Sequence, residues 1–379
     1  MKKIRILHIV ECAGGVDRYL RMLLTQMDKN SFEQILVCSH NFNREVYFPF
    51  VDSFEYVDMR NSLSLKNDVK SMVGVRRIVK RYCPDIVYCH SSKGGGIGRL
   101  ACIGLHIPVI YNPHGWAFSM KGSKLKSFLY LCFEKMLAPL TNHFVMISNY
   151  EKMTALQHHV TTENKISVIF NGIDIAAVEN ITKSLDITRH TLGIPDNAYV
   201  VGMVGRITPQ KAPDVFVKAA SKVKSSINNA YFVIVGDGEG HDDLVELAVS
   251  EGVANCLLIT GWVDNPLAYA HLFDTAVLLS RWEGFGLVLA EYMCLGKPIV
   301  ATRVGAIPDL ITDYENGLLV DMNNSQQAAD AICRLYNEKE LRQGFIENGF
   351  LRAKILFDIR RVAREHERLI TRICKKKIS

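Results

Sequence analysis

Residues 281–302 read RWEGFGLVLAEYMCLGKPIVAT, and this stretch decides the fold. The apolar run TAVLLS before it, ending at Ser280, has the length and composition of a buried parallel strand. Gly284-Phe285-Gly286 turn the chain, and an apolar helix begins near Leu287. Strand, glycine turn and helix in that order make one unit of a doubly wound α/β sheet. Glu291 falls inside the helix, among Leu287, Val288, Leu289, Ala290, Tyr292, Met293 and Leu295. A carboxylate there is expensive to bury unless something donates hydrogen bonds to it. Gly284 and Gly286 let a ligand approach the backbone. The helix start offers unpaired N–H groups and a positive dipole end, which suit an anion. Glu283 stands at the same mouth. Two carboxylates that accept hydroxyls, beside an anion site, suit a sugar joined to phosphate. The same spacing also suits a plain strand–turn–helix unit with one paired glutamate.

Working outward, short apolar β-rich runs alternate with amphipathic helical stretches along the whole chain. The first half supplies RILHIV, EQILVC, DIVYCH, PVIYN, HFVMIS and ISVIF; the second supplies YVVGMVG, AYFVIVGDG, CLLITG, TAVLLS, KPIVATRVG and GLLV. Six strands in each half predict two doubly wound, parallel-sheet domains, and 379 residues, 48% hydrophobic, are enough for two cores. The least regular stretch, 170–199, places the boundary near Asn171-Gly172. A break near Phe357-Asp358 lets a final charged helix turn back. The expected domains are therefore 1–170, 171–357 and a returning helix 358–379.

Charge and cysteine use narrow the function classes. Residues 1–165 carry 22 Lys/Arg against 13 Asp/Glu, so the basic excess of this chain sits in its first half. That suits phosphate, nucleic acid or an acidic membrane surface, or only a Lys-rich exterior. Ten cysteines occur without a Cys-x-x-Cys pair, and His-Glu-x-x-His is absent, so zinc is not indicated. Cys38, Cys89 and Cys102 read as buried free thiols of a reducing compartment. The first apolar run is too short for a signal-peptide core, and no run approaches a membrane span. The expectation is a cytoplasmic protein, soluble or peripheral on the inner face of the membrane.

Four further motifs carry chemistry. Gly205-Arg206, at the end of YVVGMVG, is followed by Lys211; the pair suits diphosphate oxygens, or is a solvated basic pair on a loop. Gly14-Gly15 follows the first strand as a turn able to cradle phosphate, or as a plain tight turn. His114-Gly115 follows PVIYN, where a side chain reaches a ligand in the crevice or is merely half-buried. His90-Ser-Ser-Lys93-Gly-Gly-Gly is a second glycine-rich strand-to-helix turn without the nucleotide P-loop spacing. Gly236-Asp-Gly-Glu-Gly240 has its third glycine one position early for nicotinamide binding. No Asp-x-Asp triplet is present to bring a divalent metal to a diphosphate, so no metal is expected.

Taken together, Glu283-Gly-Phe-Gly-Leu with Glu291, Gly205-Arg206 with Lys211, Gly14-Gly15, His114-Gly115 and Asn171-Gly172-Ile173-Asp174 resemble, in order, the retaining glycosyltransferases of the GT-B fold, family 4. HSSKGGGIGRL followed by PVIYNPHGWAF is similar to bacterial members that build capsule, exopolysaccharide or O-antigen repeats on a polyprenyl diphosphate lipid. The resemblance implies two Rossmann-like domains facing a cleft, with the last helix crossing back to the first domain. It implies a UDP-sugar donor and transfer of a hexose or N-acetylhexosamine to a hydroxyl of a lipid-linked saccharide. Arg206 and Lys211 would neutralise the leaving diphosphate, Glu291 hold the ribose, and Glu283 hold donor-sugar hydroxyls. His114 would contact the donor sugar from the first domain. Gly14, Gly15, Phe285, Gly286 and Leu287 would give backbone contacts, and His90 and Lys93 would lie on the acceptor side. The alternatives are a GT-B nucleotide-sugar epimerase or hydrolase, and a non-catalytic nucleotide-sugar-binding protein.

One segment suggests a membrane. Lys121, Lys124 and Lys126 stand beside the apolar stretch Phe128-Leu-Tyr-Leu-Cys-Phe133. A basic amphipathic helix can lie among anionic headgroups; alternatively, Phe128, Leu129, Leu131 and Phe133 pack in the core.

Overall fold

The structure is a computed structural model that describes residues 2–11, 14–60, 64–119, 123–181 and 187–376. The chain forms two compact units, Met1–Ile173 with Ile359–Ser379, and Asp174–Asp358. In the first unit the strands are β1 (Ile4–Val10), β2 (Phe32–Cys38), β3 (Ser53–Tyr56), β4 (Ile86–His90), β5 (Val109–Asn112), β6 (His143–Met146) and β7 (Ile166–Val168). They pair in the order β3-β2-β1-β4-β5-β6-β7, all parallel. The sequence pattern yields six strands here; the seventh is β3. Its four residues SFEY alternate apolar and polar, and it pairs with β2 at the sheet edge. An edge strand needs no continuous apolar run, so it lacks the signal of a buried strand.

In the second unit the strands are β8 (Tyr199–Val204), β9 (Ala230–Val235), β10 (Leu257–Ile259), β11 (Thr275–Leu278), β12 (Ile299–Thr302) and β13 (Leu318–Val320). Their order is β10-β9-β8-β11-β12-β13. Each sheet has one point where the strand order reverses, between β1 and β4 and between β8 and β11. Crevices open there beyond the C-terminal strand ends, and the motifs quoted above follow strands at or beside these two reversals.

The glycine run after β4 does not form a turn. Residues 92–101 are helical, and the glycines let that helix lie close on the sheet. A Cβ at Gly95 would stand 2.2 Å from the Tyr111 ring, and one at Gly98 would stand 2.4 Å from Cys89 Sγ. Cys38, Cys89 and Cys102 are buried and unpaired.

The chain returns to the first unit through close backbone packing. Helix Lys339–Leu356 ends at Phe357, and helix Ile359–Lys376 follows. The Ile359 N–H donates to the Ile173 carbonyl at 3.0 Å. Residue 172 must be glycine for this, since a Cβ there would lie 2.8 Å from Ile359 Cα. His366 of the returning helix is buried between two hydroxyls, Tyr19 at 2.9 Å from Nε2 and Tyr88 at 3.2 Å from Nδ1.

Four buried histidines make this unit sensitive to acid. Burial holds His8, His114 and His366 down at about 3, and holds His90 well below the ordinary 6.5. The unfolded chain protonates these rings below about pH 6.5, whereas the folded chain keeps them neutral. Their contribution to stability is therefore full above that pH and is lost as the pH falls toward 3. The urea midpoint should drop steeply between pH 7 and 5. In His8→Leu the slope should be shallower by up to roughly 1.4 kcal/mol per pH unit; an unchanged slope would count against this account.

Candidate functional site

In the second unit, the loops after β8 and β11 converge on one ion pair. Lys211 Nζ lies 2.5 Å from Glu283 Oε1, and the same oxygen accepts a hydrogen bond from Ser280 Oγ at 2.7 Å. Thr302 Oγ1 in turn donates to the Ser280 carbonyl at 2.6 Å. Glu283 is buried, and a buried carboxylate needs such partners. The Lys211 stem runs over Gly205, 3.4 Å from where a Cβ would stand. Arg206 is exposed, and its guanidinium has no ion pair or hydrogen bond among the described residues. The structure thus brings Lys211 and Glu283 together and leaves the Arg206 guanidinium exposed.

The remaining predicted residues of this unit lie on the next turn. Gly286 has φ +88° and caps helix Leu287–Cys294. Phe285 is buried, its ring 5.6 Å edge-on to Phe357, so its side chain serves packing. Glu291 is buried in the helix, as is its neighbour Tyr292. The Val204 N–H donates to the Tyr292 hydroxyl at 2.7 Å. That bond supplies a partner at the end of β8, beyond its pairing with β11 at Thr275↔Val201 and Ala276↔Gly202.

Sequence reasoning missed the frame around the pair. Arg281 donates to Asp214 Oδ2 at 2.6 Å, to Asn323 Oδ1 at 2.7 Å and to the Pro209 carbonyl at 2.7 Å. Gln210, in a segment from which the sequence yields nothing, donates from Nε2 to the Trp282 carbonyl at 3.1 Å. Only the proximity of residues some 70 positions apart reveals this clamp. The 236–240 glycine loop also proves structural: a Cβ at Gly236 would lie 2.2 Å from the Gly205 carbonyl, and one at Gly238 2.3 Å from that of Ile207.

In the first unit, Gly14 has φ +85° and caps helix Gly15–Gln26; a Cβ at Gly14 or Gly15 would meet no atom within 4 Å. His114, also at positive φ (+53°), is fixed by its neighbours. Its N–H donates to Asn112 Oδ1 at 3.0 Å, and the next N–H, of Gly115, donates to Glu151 Oε1 at 2.7 Å. Glu151 Oε2 also accepts the Ile147 N–H at 2.8 Å, and burial pushes this carboxyl up to about 7. His90 is fully buried behind His114, ring nitrogens 3.1 Å apart. Lys93 pairs with Asp68 at 2.7 Å.

The helix Lys124–Leu137 turns an unusual face outward. Its inner side is anchored by buried Glu134, which meets Arg99 Nη2 at 2.8 Å and accepts from the Tyr111 hydroxyl at 2.9 Å. On the outer side Leu125, Phe128, Leu129 and Met136 are 57–67% exposed. Phe133 is exposed as well, and Leu131 is half-buried. Core packing therefore does not account for Phe128 or Leu129, whereas the Phe133 ring packs on helix 92–101, 3.2 Å from where a Cβ at Gly96 would stand. Lys124, Lys126 and Lys135 border this face and are exposed; Lys121 lies outside the described residues. No helix among the described residues is long and apolar enough to cross a membrane, and no metal-binding cluster of His, Cys, Asp or Glu occurs among them.

Residues 186–352 match the family model described as glycosyl transferases group 1, and residues 13–177 match that of glycosyltransferase family 4. Together the two matches span nearly the whole chain, one per unit. The chain is a GT-B glycosyltransferase. This glycosyltransferase is 29% identical over 361 residues, 92% of its length and 93% of the relative's, to the Escherichia coli UDP-Gal:alpha-D-GlcNAc-diphosphoundecaprenol alpha-1,3-galactosyltransferase. It is 25% identical to the Staphylococcus aureus capsular polysaccharide biosynthesis glycosyltransferase CapM, covering 99% of each chain. Its fold matches that of Anabaena Alr3699/HepE, solved in complex with UDP, with a TM-score of 0.81 at 20% identity, over 98% of this chain and 100% of that one.

The glycosyltransferase holds Glu283 through a backbone that tolerates no side chain at residue 305. Gly305 has φ +53°, and a Cβ there would stand 2.1 Å from the Glu283 carbonyl oxygen. Gly305→Ala should cost ~1–3 kcal/mol in a thermal or urea melt by displacing the Glu283 backbone. A wild-type melting temperature in that variant would contradict the packing described.

Proposed function

We propose that this glycosyltransferase moves a hexose or N-acetylhexosamine from a UDP-sugar, with retention, to a hydroxyl of a polyprenyl-diphosphate-linked saccharide in surface polysaccharide synthesis. The observation that carries the reading is the Lys211–Glu283 pair beside the unpaired Arg206. It joins a cationic grip for the departing diphosphate to a carboxylate for sugar hydroxyls. The E. coli relative, whose name specifies UDP-Gal and a diphosphoundecaprenol acceptor, supports the donor and acceptor classes. CapM supports the pathway class.

In this reading the bond from the anomeric carbon to the diphosphate oxygen breaks, and one to the acceptor oxygen forms on the same face. The acceptor proton passes to a donor phosphate oxygen, and UDP leaves. Arg206 and Lys211 stabilise the charge that builds on the leaving diphosphate as its bond to the anomeric carbon breaks, the contribution expected to be largest. Lys211 has three N–H groups, so it can keep Glu283 and still reach a phosphate. Glu283 and Glu291 accept sugar and ribose hydroxyls, with Gly286 and Leu287 lending backbone at the helix start. Gly14 and Gly15 give backbone contacts and His114 meets the donor sugar. Lys93 lies toward the acceptor, and His90, buried behind His114, acts only through that ring. Two cations at the diphosphate make a divalent metal unnecessary.

A panel of UDP-, GDP- and ADP-sugars, assayed in EDTA for nucleotide release with and without lipid extract, tests the whole reading. UDP release that depends on lipid acceptor is expected; release without acceptor would point to a hydrolase. Arg206→Ala should lower kcat by ~10²-fold or more, and a near-normal kcat would remove Arg206 from the mechanism.

We further propose that the outward apolar face of helix Lys124–Leu137 docks on the anionic inner surface of the membrane, bringing the enzyme to its lipid-linked acceptor. Exposed Leu125, Phe128, Leu129 and Met136 would enter the acyl boundary, and Lys124, Lys126, Lys135 and Lys121 would meet headgroups. The protein should co-sediment with phosphatidylglycerol vesicles at low salt and less at high salt. Lys124→Glu with Lys126→Glu and Phe128→Ser should weaken partitioning by roughly tenfold or more while UDP affinity stays unchanged. Wild-type protein left in the supernatant at low salt would refute the docking.

A further inference from the structure

Three histidines of the first unit form one hydrogen-bonded row. His8 lies within β1, His90 ends β4, and His114 opens the loop after β5. His8 Nδ1 is 3.1 Å from His90 Nε2, and His90 Nδ1 is 3.1 Å from His114 Nε2. Consecutive rings stack at 5.4 Å. The two ends of the row, His8 Nε2 and His114 Nδ1, are buried and have no hydrogen-bond partner among the described residues. Burial pushes all three rings far below their ordinary range, so each is neutral and carries a single N–H.

Two hydrogen bonds among three neutral rings allow only two arrangements. In one, every ring is protonated on Nδ1, each donates along the row, and the last free N–H is on His114 Nδ1. In the other, every ring is protonated on Nε2, and the last free N–H is on His8, inside the sheet. An orphaned N–H deep in a core costs more than an orphaned lone pair. His114 Nδ1 is also covered in the free protein, but its residue is partly exposed and stands past the C-terminal strand edge, where ligands of such sheets bind and can accept a hydrogen bond, whereas His8 lies wholly within the sheet. With a ligand accepting there, the first arrangement is the stable one. It has a chemical consequence: His114 Nδ1 is protonated and its Nε2 lone pair is occupied by His90, so no lone pair remains to take a proton.

We propose that His8 and His90 are positioning residues that lock His114 in its Nδ1–H form, so that it meets the donor sugar as a hydrogen-bond donor to a hydroxyl oxygen and not as a base. This rests on the reading above that His114 faces the donor sugar. The loop geometry supports it, because Asn112 and Glu151 hold residues 114 and 115 through their N–H groups and leave the ring to be oriented by His90.

Proton–nitrogen correlation NMR on protein with isotopically labelled histidine reads the tautomer directly in the wild type. His114 protonated on Nδ1 is expected, and protonation on Nε2 would overturn the proposal. His90→Phe keeps an aromatic ring in the slot but removes both hydrogen bonds. It should mix the His114 tautomers and lower kcat about tenfold, the worth of one hydrogen bond, while the Kd for UDP, which lacks the sugar, stays the same. His90→Asn, whose amide can donate from near the Nδ1 position, should recover much of that loss. A His90→Phe enzyme with a single His114 tautomer and wild-type kcat sinks the relay. Wild-type kcat in His114→Ala would instead sink the placement of His114 at the sugar, and the proposal with it, whatever the tautomer.

Discussion

Parallel strands that diverge at their C-terminal ends leave backbone and side-chain groups that the sheet cannot satisfy, and each unit of this protein meets that constraint at its strand-order reversal. In the second unit, β8 and β11 pair over only two residues. Past them the Tyr292 hydroxyl takes the Val204 N–H, and Lys211 meets Glu283. The ion pair is stable where it is because Ser280 also donates to Glu283 and Arg281 ties the two loops together. The same arrangement keeps a cation and a carboxylate oriented before any ligand arrives, which limits the reorganisation left for catalysis.

The first unit solves the corresponding problem with aromatic and imidazole groups. His8, His90 and His114 hydrogen-bond in a row at three neighbouring strands, leaving unpaired only the two ends of the row, and Tyr19 and Tyr88 hold His366 on the returning helix. Such a polar network in a core is secure only when its members are paired. Its neutral state depends on burial, which links the integrity of the unit to pH and to the docking of its last helix. The anchored helix Lys124–Leu137 follows the reverse logic. Its charged Glu134 is turned inward onto Arg99 while Leu125, Phe128, Leu129 and Met136 are turned outward, an arrangement that ordinary folding energetics does not favour.

The sequence was most legible where chemistry and local structure coincide. Glu283, Gly286 and Glu291 stand within nine residues of one strand–turn–helix unit, so a reader can place them without knowing the rest of the fold. Gly172 was visible as a motif, although its reason, the 2.8 Å approach of Ile359, was not. The run from Gly94 to Gly98 suggested a turn because glycine usually marks one; helix-to-sheet packing also demands small residues, and here it prevailed. Edge strand β3 escaped notice because it is short and polar on alternate residues.

The sequence by itself determined two parallel-sheet units, the strand ends that carry the site, and the residue types that suit phosphate and sugar, because period and turn chemistry act over a few neighbouring residues. Only the tertiary structure decided that Lys211 is paired with Glu283 while Arg206 is not, that His90 stands behind His114, and that Phe128 and Leu129 face outward. Each of these depends on residues far apart in the chain, or on which face of a helix the sheet covers. An amphipathic pattern fixes the spacing of a face but not what that face will meet.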